Sequence, residues 1–190
     1  MATHLALAVI SALTLITKAT TTTRTPDNTA SGTATLVSGY SWIRAVESPY
    51  SHSYLQPGPT ATPSSGFSDA YLGPASMAGQ FRVADGQVQY YTGNVSGQVL
   101  YLGVEDANNK SQRALETWFD ATANIYGTFS LAGDTLTWTA DDLTRPNPAA
   151  WYVCGGEGQL YINTGDYGYN APSGCVDETI HVYGGSTANI

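Results

Sequence analysis

Residues 80–91 read QFRVADGQVQYY, and this stretch decides the fold. Phe81, Val83, Val88 and Tyr90 alternate with other residues on either side of Asp85-Gly86. Side chains alternate faces along a strand, so this spacing gives each arm one apolar face. Asp-Gly tolerates the positive φ angles of a tight two-residue turn. The stretch therefore predicts a β-hairpin.

The same reading extends in both directions. FSLAGDTLTWT (129–139) turns at Gly133-Asp134, and WYVCGGEGQLYIN (151–163) turns through Gly155-Gly156-Glu157-Gly158. VLYLGVED (99–106) and ALETWFD (114–120) form a fourth pair joined by a polar link. SWIRAVE (41–47), HSYLQP (52–57), FSDAYLG (67–73) and ETIHVYGG (178–185) add strands at either end. Short runs rich in Val, Ile, Tyr, Phe, Trp and Thr between Gly, Asp, Asn and Pro clusters are an all-β signature. Residues 111–120 also fit a helical period, but Thr117-Trp118-Phe119 favours a strand. Twelve short antiparallel strands are expected in all. The turns at 85 and 133 lie 48 residues apart, close to one third of residues 40–190. Three near-equal groups of strands point to a β-trefoil, with a two-sheet β-sandwich as the alternative.

The first 39 residues are of a different kind. LALAVISALTLI (5–16) is an uncharged apolar run, too short to span a bilayer but suited to a secretory signal, with the cut expected after Ala19. Removing Lys18 with it takes the net charge from -8 to -9. Residues 20–35 hold eight Thr in sixteen positions and no apolar period. The organisation expected is a signal (1–19), a Thr-rich spacer (20–39) and one all-β domain (40–190). O-linked sugar on the spacer and a bare flexible tail are both open readings.

In a secreted chain, the two cysteines, Cys154 and Cys175, read as one disulfide. Asn94-Val95-Ser96 and Asn109-Lys110-Ser111 are N-glycan acceptor sequences. The chain has seven Lys plus Arg, scattered singly, too few for the basic footprint that nucleic acid needs. His52 and His181, with two cysteines 21 positions apart, match no zinc spacing, so no metal or other cofactor is expected. Gly66-Phe67-Ser68-Asp69-Ala70 lacks the second Gly of a nucleophile elbow. Glu47, Glu105, Glu116, Glu157 and Glu178 are available for glycoside hydrolysis, and no pattern among them singles out a catalytic pair. No catalytic residue is assigned.

The aromatic excess, 13 Tyr and 4 Trp, is the one hint of recognition. Tyr90-Tyr91 and Trp151-Tyr152 sit in predicted strands. Tyr167 and Tyr169, in the loop GDYGYN, are the better candidates for stacking against sugar rings.

Taken in order, SWIRAVESPYSHSYLQP, QFRVADGQVQYY, GQVLYLGVED, FSLAGDTLTWT, YVCGGEGQLYI and GCVDETIHVY resemble the fungal secreted family of the cell wall protein PhiA and related IgE-binding proteins. The likeness spans about residues 42–183, and the Thr-rich spacer departs from the family layout. The resemblance implies a secreted, non-enzymatic protein of the fungal wall, linked to phialide and conidium development. The expected partner is wall polysaccharide or a wall protein, with no nucleic acid and no transmembrane segment in the mature chain. An extracellular carbohydrate-binding or protease-inhibitory module is the alternative reading.

Overall fold

The computed structural model describes residues 34–58, 67–93 and 97–189. The expected signal, most of the Thr-rich spacer and the Asn94 sequon lie outside the described residues. Thirteen strands are present among the described residues, every pairing antiparallel. They are β1 (Trp42–Ala45), β2 (Tyr54–Pro57), β3 (Phe67–Gly73), β4 (Phe81–Ala84), β5 (Gln87–Tyr91), β6 (Val99–Val104) and β7 (Ala114–Asp120). There follow β8 (Thr128–Ala132), β9 (Thr135–Thr139), β10 (Trp151–Cys154), β11 (Gln159–Asn163), β12 (Cys175–Glu178) and β13 (Ile180–Tyr183).

The hairpins sit where the turn chemistry places them. Asp85 and Gly86 both take positive φ, 53° and 75°, as the two-residue turn of β4–β5 requires. Gly86 is needed twice over, because a Cβ there would lie 2.9 Å from the Thr128 methyl. β8 is paired to β9 through Phe129↔Trp138 and Leu131↔Leu136, and β10 to β11 through Trp151↔Ile162. The 114–120 segment is a strand, with Leu115, Thr117 and Phe119 buried and Glu116 exposed. β12 was absent from the twelve expected strands. Its sequence, CVDE, has no apolar alternation, and only β10 pairs with it.

The strands run in one ladder, β4-β5-β6-β7-β11-β3-β2-β1-β13-β9-β8, with β10 and β12 branching off β11. The two ends curl toward each other: the Phe129 amide donates to Gly86 O at 3.0 Å, so the ladder is a nearly closed barrel. This order is specific to neither a β-trefoil nor a two-sheet sandwich. The even spacing of turns counts residues along the chain, whereas neighbours in the ladder are set by which faces bury together. β3 and β7 show the difference. The upper half of β7 pairs with β3 and its lower half with β11.

Inward residues from all round the barrel fill one core, including Ile43, Phe81, Leu102, Phe119, Trp138 and Trp151. Trp151 lies nearly parallel to Phe129, with ring centroids 6.5 Å apart. A smaller cluster covers the outside of β1 and β2. Trp42 and Tyr54 are buried there under both ends of the described chain: the Trp42 indole donates to Gly185 O at 2.9 Å and the Tyr54 hydroxyl to Asn189 O at 2.8 Å. Leu36 packs on this cluster and Thr35 bridges Thr187, so the folded body reaches upstream of Tyr40.

Candidate functional site

Strand alternation decides which residues reach the outer surface. Along β3, Ser68, Ala70 and Leu72 are buried, leaving Phe67, Asp69 and Tyr71 outside. Along β7, Glu116, Trp118 and Asp120 face out. Register then sets them side by side. Phe67 pairs with Asp120 and Asp69 with Trp118 on one edge of β7, while Tyr101 pairs with Asp120 and Gly103 with Trp118 on the other. Tyr161 of β11 stands opposite Glu116.

Across these rows the Phe67 and Trp118 rings stack, with centroids 6.3 Å apart and planes 28° from parallel. Phe67 is 58% exposed. Such an aromatic on the solvent side of a strand has no core to fill. Trp118 lies over Gly103, where a Cβ would come within 2.6 Å of the indole. The missing side chain lets the indole lie close against the sheet. Beside it runs a groove of about 250 Å³ lined by Gly103, Trp118, Asp120, Thr122 and Asn124 among others. Burial, then nearby Asp69 and Glu157, raise the Tyr71 phenol above its ordinary range. Burial, then Glu116 and Asp69, do the same at Tyr161. Both phenols therefore stay protonated and able to donate.

Ile125, 95% exposed, stands on the rim between this groove and a second of about 390 Å³ lined by Asp106, Tyr126, Asp141 and Asp142. Lys110 ties several of these lining residues together. Its ammonium meets Asp106 at 2.6 Å, Asp142 at 2.8 Å and the Tyr126 hydroxyl at 3.1 Å, and lies over the Tyr126 ring. Those hydrogen bonds hold Lys110 well above the usual lysine range and Asp142 below the usual carboxylate range.

The sequence-predicted residues lie elsewhere. Tyr167 and Tyr169 are exposed on the 164–174 loop, 40% and 61% respectively. The loop is pinned from below: Arg113 donates to Tyr169 O at 2.9 Å and to the Tyr152 hydroxyl, and the Gly168 amide donates to Asp177 at 3.0 Å. No ring pairing joins the two tyrosines. Trp151 and Tyr152 are fully buried, and Tyr90 packs inward on Phe81 and Phe119. Cys154 and Cys175 form the disulfide, directly opposite each other in the β10–β12 register. Asn109 is exposed, with its side-chain oxygen accepting from the Ser111 amide and hydroxyl.

His181 lies 3.3 Å from Asp134 and 3.2 Å from the Thr135 hydroxyl. This acid–imidazole–hydroxyl order resembles a hydrolase triad. All three residues, however, lie at the β9–β13 pairing, away from both grooves, and fasten β13 to the β8–β9 turn. Among the described residues no group of three or more His, Cys, Asp or Glu is placed to hold a metal ion, and no helix is long and apolar enough to cross a membrane.

Glu178 is the one fully buried carboxyl among the described residues. Its Oε1 accepts the main-chain amides of Val46, Glu47 and Thr179 at 3.1, 2.8 and 2.9 Å, while Oε2 has no partner. Burial outweighs those hydrogen bonds and raises its pKa, with Glu47 adding to the shift. The folded chain thus binds this proton more readily than the unfolded chain, so ionising Glu178 costs stability above its raised pKa. That cost disappears as pH falls toward the ordinary glutamate range. Glu178→Gln keeps the accepting oxygen and removes the charge. It is expected to raise the melting temperature at about pH 7, with the gain vanishing near about pH 4. Thermal unfolding across that range checks this, and a lower melting temperature at neutral pH would show that the ionised carboxylate is the stabilising form.

Sequence reasoning named Glu116 only among five glutamates open to glycoside hydrolysis, and gave Phe67, Asp69 and Trp118 no binding role. The signal was present: Phe67 and Trp118 occupy the polar phase of otherwise well-alternating strands. Comparison with protein-family models, curated proteins and solved structures finds no match to this chain.

Proposed function

We propose that this chain is a secreted, non-enzymatic protein of the fungal cell wall that holds wall polysaccharide on the outer face of β3, β7 and β6. The observation that carries the reading is the exposed Phe67–Trp118 stack beside the Gly103-floored groove. Flat aromatic rings bury the apolar face of a pyranose, while hydroxyls and carboxylates at their edges take its hydroxyl groups. The Cys154–Cys175 disulfide and the exposed Asn109 sequon fit an oxidising, extracellular setting. Glu178, the carboxyl that burial raises, is sealed from solvent against main-chain amides and does not reach a polymer as an acid. That supports binding over hydrolysis. With it goes the role in phialide and conidium development that the resemblance to the PhiA family implies.

Sedimentation with insoluble β-glucan, chitin and isolated walls tests the proposal. Phe67→Ala removes an exposed ring at little structural cost and is expected to weaken binding about threefold to tenfold; Trp118→Ala is expected to weaken it about tenfold or more. Binding that neither variant weakens, or a protein found only in free medium and never in wall fractions, overturns the reading.

A further inference from the structure

We propose that the polymer seated on this face is a β-linked hexosamine polymer carrying free amino groups; the assignment rests on the polysaccharide reading above and names its ligand class. Carboxylates are interleaved with the rings. Asp69 stands beside Trp118 in register, Asp120 beside Phe67 and Tyr101, and Glu116 opposite Tyr161. Glu105 joins them, since its Oε2 accepts the Glu116 amide at 3.1 Å.

Asp69 and Glu116 have no hydrogen-bond or ion-pair partner for their carboxylates among the described residues. The cations among the described residues are engaged elsewhere. Arg82, at the far end of the row through Gln89, donates to Gln89 and lies over the Tyr40 ring. Lys110 is taken by Asp106 and Asp142.

A face for neutral sugar balances donors against acceptors; this one is dominated by charged acceptors. Its complement is a ligand with an apolar ring face for the Phe67–Trp118 stack and a cation at a regular interval. An ammonium beside an aromatic ring is attracted by both the ring and the carboxylate next to it. Neighbouring strands stand about 4.8 Å apart, comparable to the length of one pyranose unit. Successive sugars can therefore meet successive strands. N-acetylation would remove the charge and leave Asp69 and Glu116 facing a neutral amide.

The test is calorimetric titration of the intact chain with a glucosamine hexamer and with its fully N-acetylated counterpart, at low salt and about pH 5.5, where exposed carboxylates are ionised. The amine form is expected to bind about tenfold tighter. That preference is expected to shrink in about 0.5 M salt. Asp69→Asn combined with Glu116→Gln, both on the solvent face, is expected to abolish the preference, weakening the amine hexamer far more than the acetylated one. Phe67→Ala weakens both ligands.

Equal affinity for the two hexamers, with Phe67→Ala still weakening them, overturns the ligand class and leaves polysaccharide binding standing. An amine preference that survives Asp69→Asn with Glu116→Gln also overturns it, because the attraction then comes from the acidic surface at large. A lysine-rich peptide bound as tightly as the amine hexamer, and lost in the same double variant, makes this a face for basic protein segments. Failure to bind either hexamer or any wall polysaccharide removes the earlier reading itself.

Discussion

Arg145→Met is expected to lower the unfolding free energy by about 3 kcal/mol, with a fall in melting temperature of roughly 6–12 °C. Arg145 lies in the connection between β9 and β10, and its guanidinium faces only main-chain carbonyls. Nε donates to Asn163 O at 2.9 Å, Nη1 to Trp138 O and to Pro148 O at 3.1 Å, and Nη2 to Ala150 O. The group also lies over the Trp138 ring, 5.4 Å from its centroid. No ion pair to Arg145 is formed among the described residues. Burial pushes its pKa down to about 10, so it remains charged at neutral pH.

One side chain thus ties β9, β11 and the start of β10 together. Each hydrogen bond from a charged donor contributes about 1.5–3 kcal/mol. The loss is smaller than four such terms, because methionine relieves the desolvation of the charge and because Pro148 O and Ala150 O keep amide donors of their own. Arg145→Lys retains the charge without the planar fork and is expected to recover less than half the loss. Thermal and urea unfolding of the three proteins checks this. A methionine variant as stable as the parent would mean that burying the cation costs as much as its hydrogen bonds return.

The second large effect is expected from opening the disulfide. Replacing both Cys154 and Cys175 by serine is expected to cost about 3 kcal/mol, since the bridge closes a loop of about twenty residues in the unfolded chain. β12 pairs with β10 alone, so in the folded state it depends on that ladder, the bridge, the buried Glu178 and Asp177, which accepts from the Asn163 side chain and the Gly168 amide. Residues 155–174 carry Tyr167 and Tyr169 and are expected to become the first site of proteolysis in the serine variant. An unchanged melting temperature and cleavage pattern would show that the ladder and Glu178 hold β12 unaided. Because Phe67 and Trp118 lie on β3 and β7, polysaccharide binding is expected to survive this change.

Much of the fold is legible in the sequence because strands and turns are written locally. Asp85-Gly86 and Gly133-Asp134 announce their hairpins, and Leu115, Thr117 and Phe119 announce which face of β7 goes inside. β12 escapes this reading because its partners, not its own pattern, make it a strand. Trp42 and Tyr54 break simple alternation because Leu36 and the chain end cover the outside of β1 and β2. The proposed binding face was legible only in half. Alternation puts Phe67 and Trp118 on the solvent side, but 51 positions of sequence separate them.

By itself, then, the sequence determines an acidic, charge-poor, all-β chain with one disulfide-ready pair of cysteines and hairpins at defined turns. A period of two fixes the face each side chain takes. It does not fix which strand lies alongside. That depends on backbone hydrogen bonding and on burial between distant segments, and only the tertiary structure decides it. The branching of β7 between β3 and β11 brings Phe67 onto Trp118. The same branching leaves the carboxylates of Asp69 and Glu116 beside the rings without hydrogen-bond or ion-pair partners among the described residues.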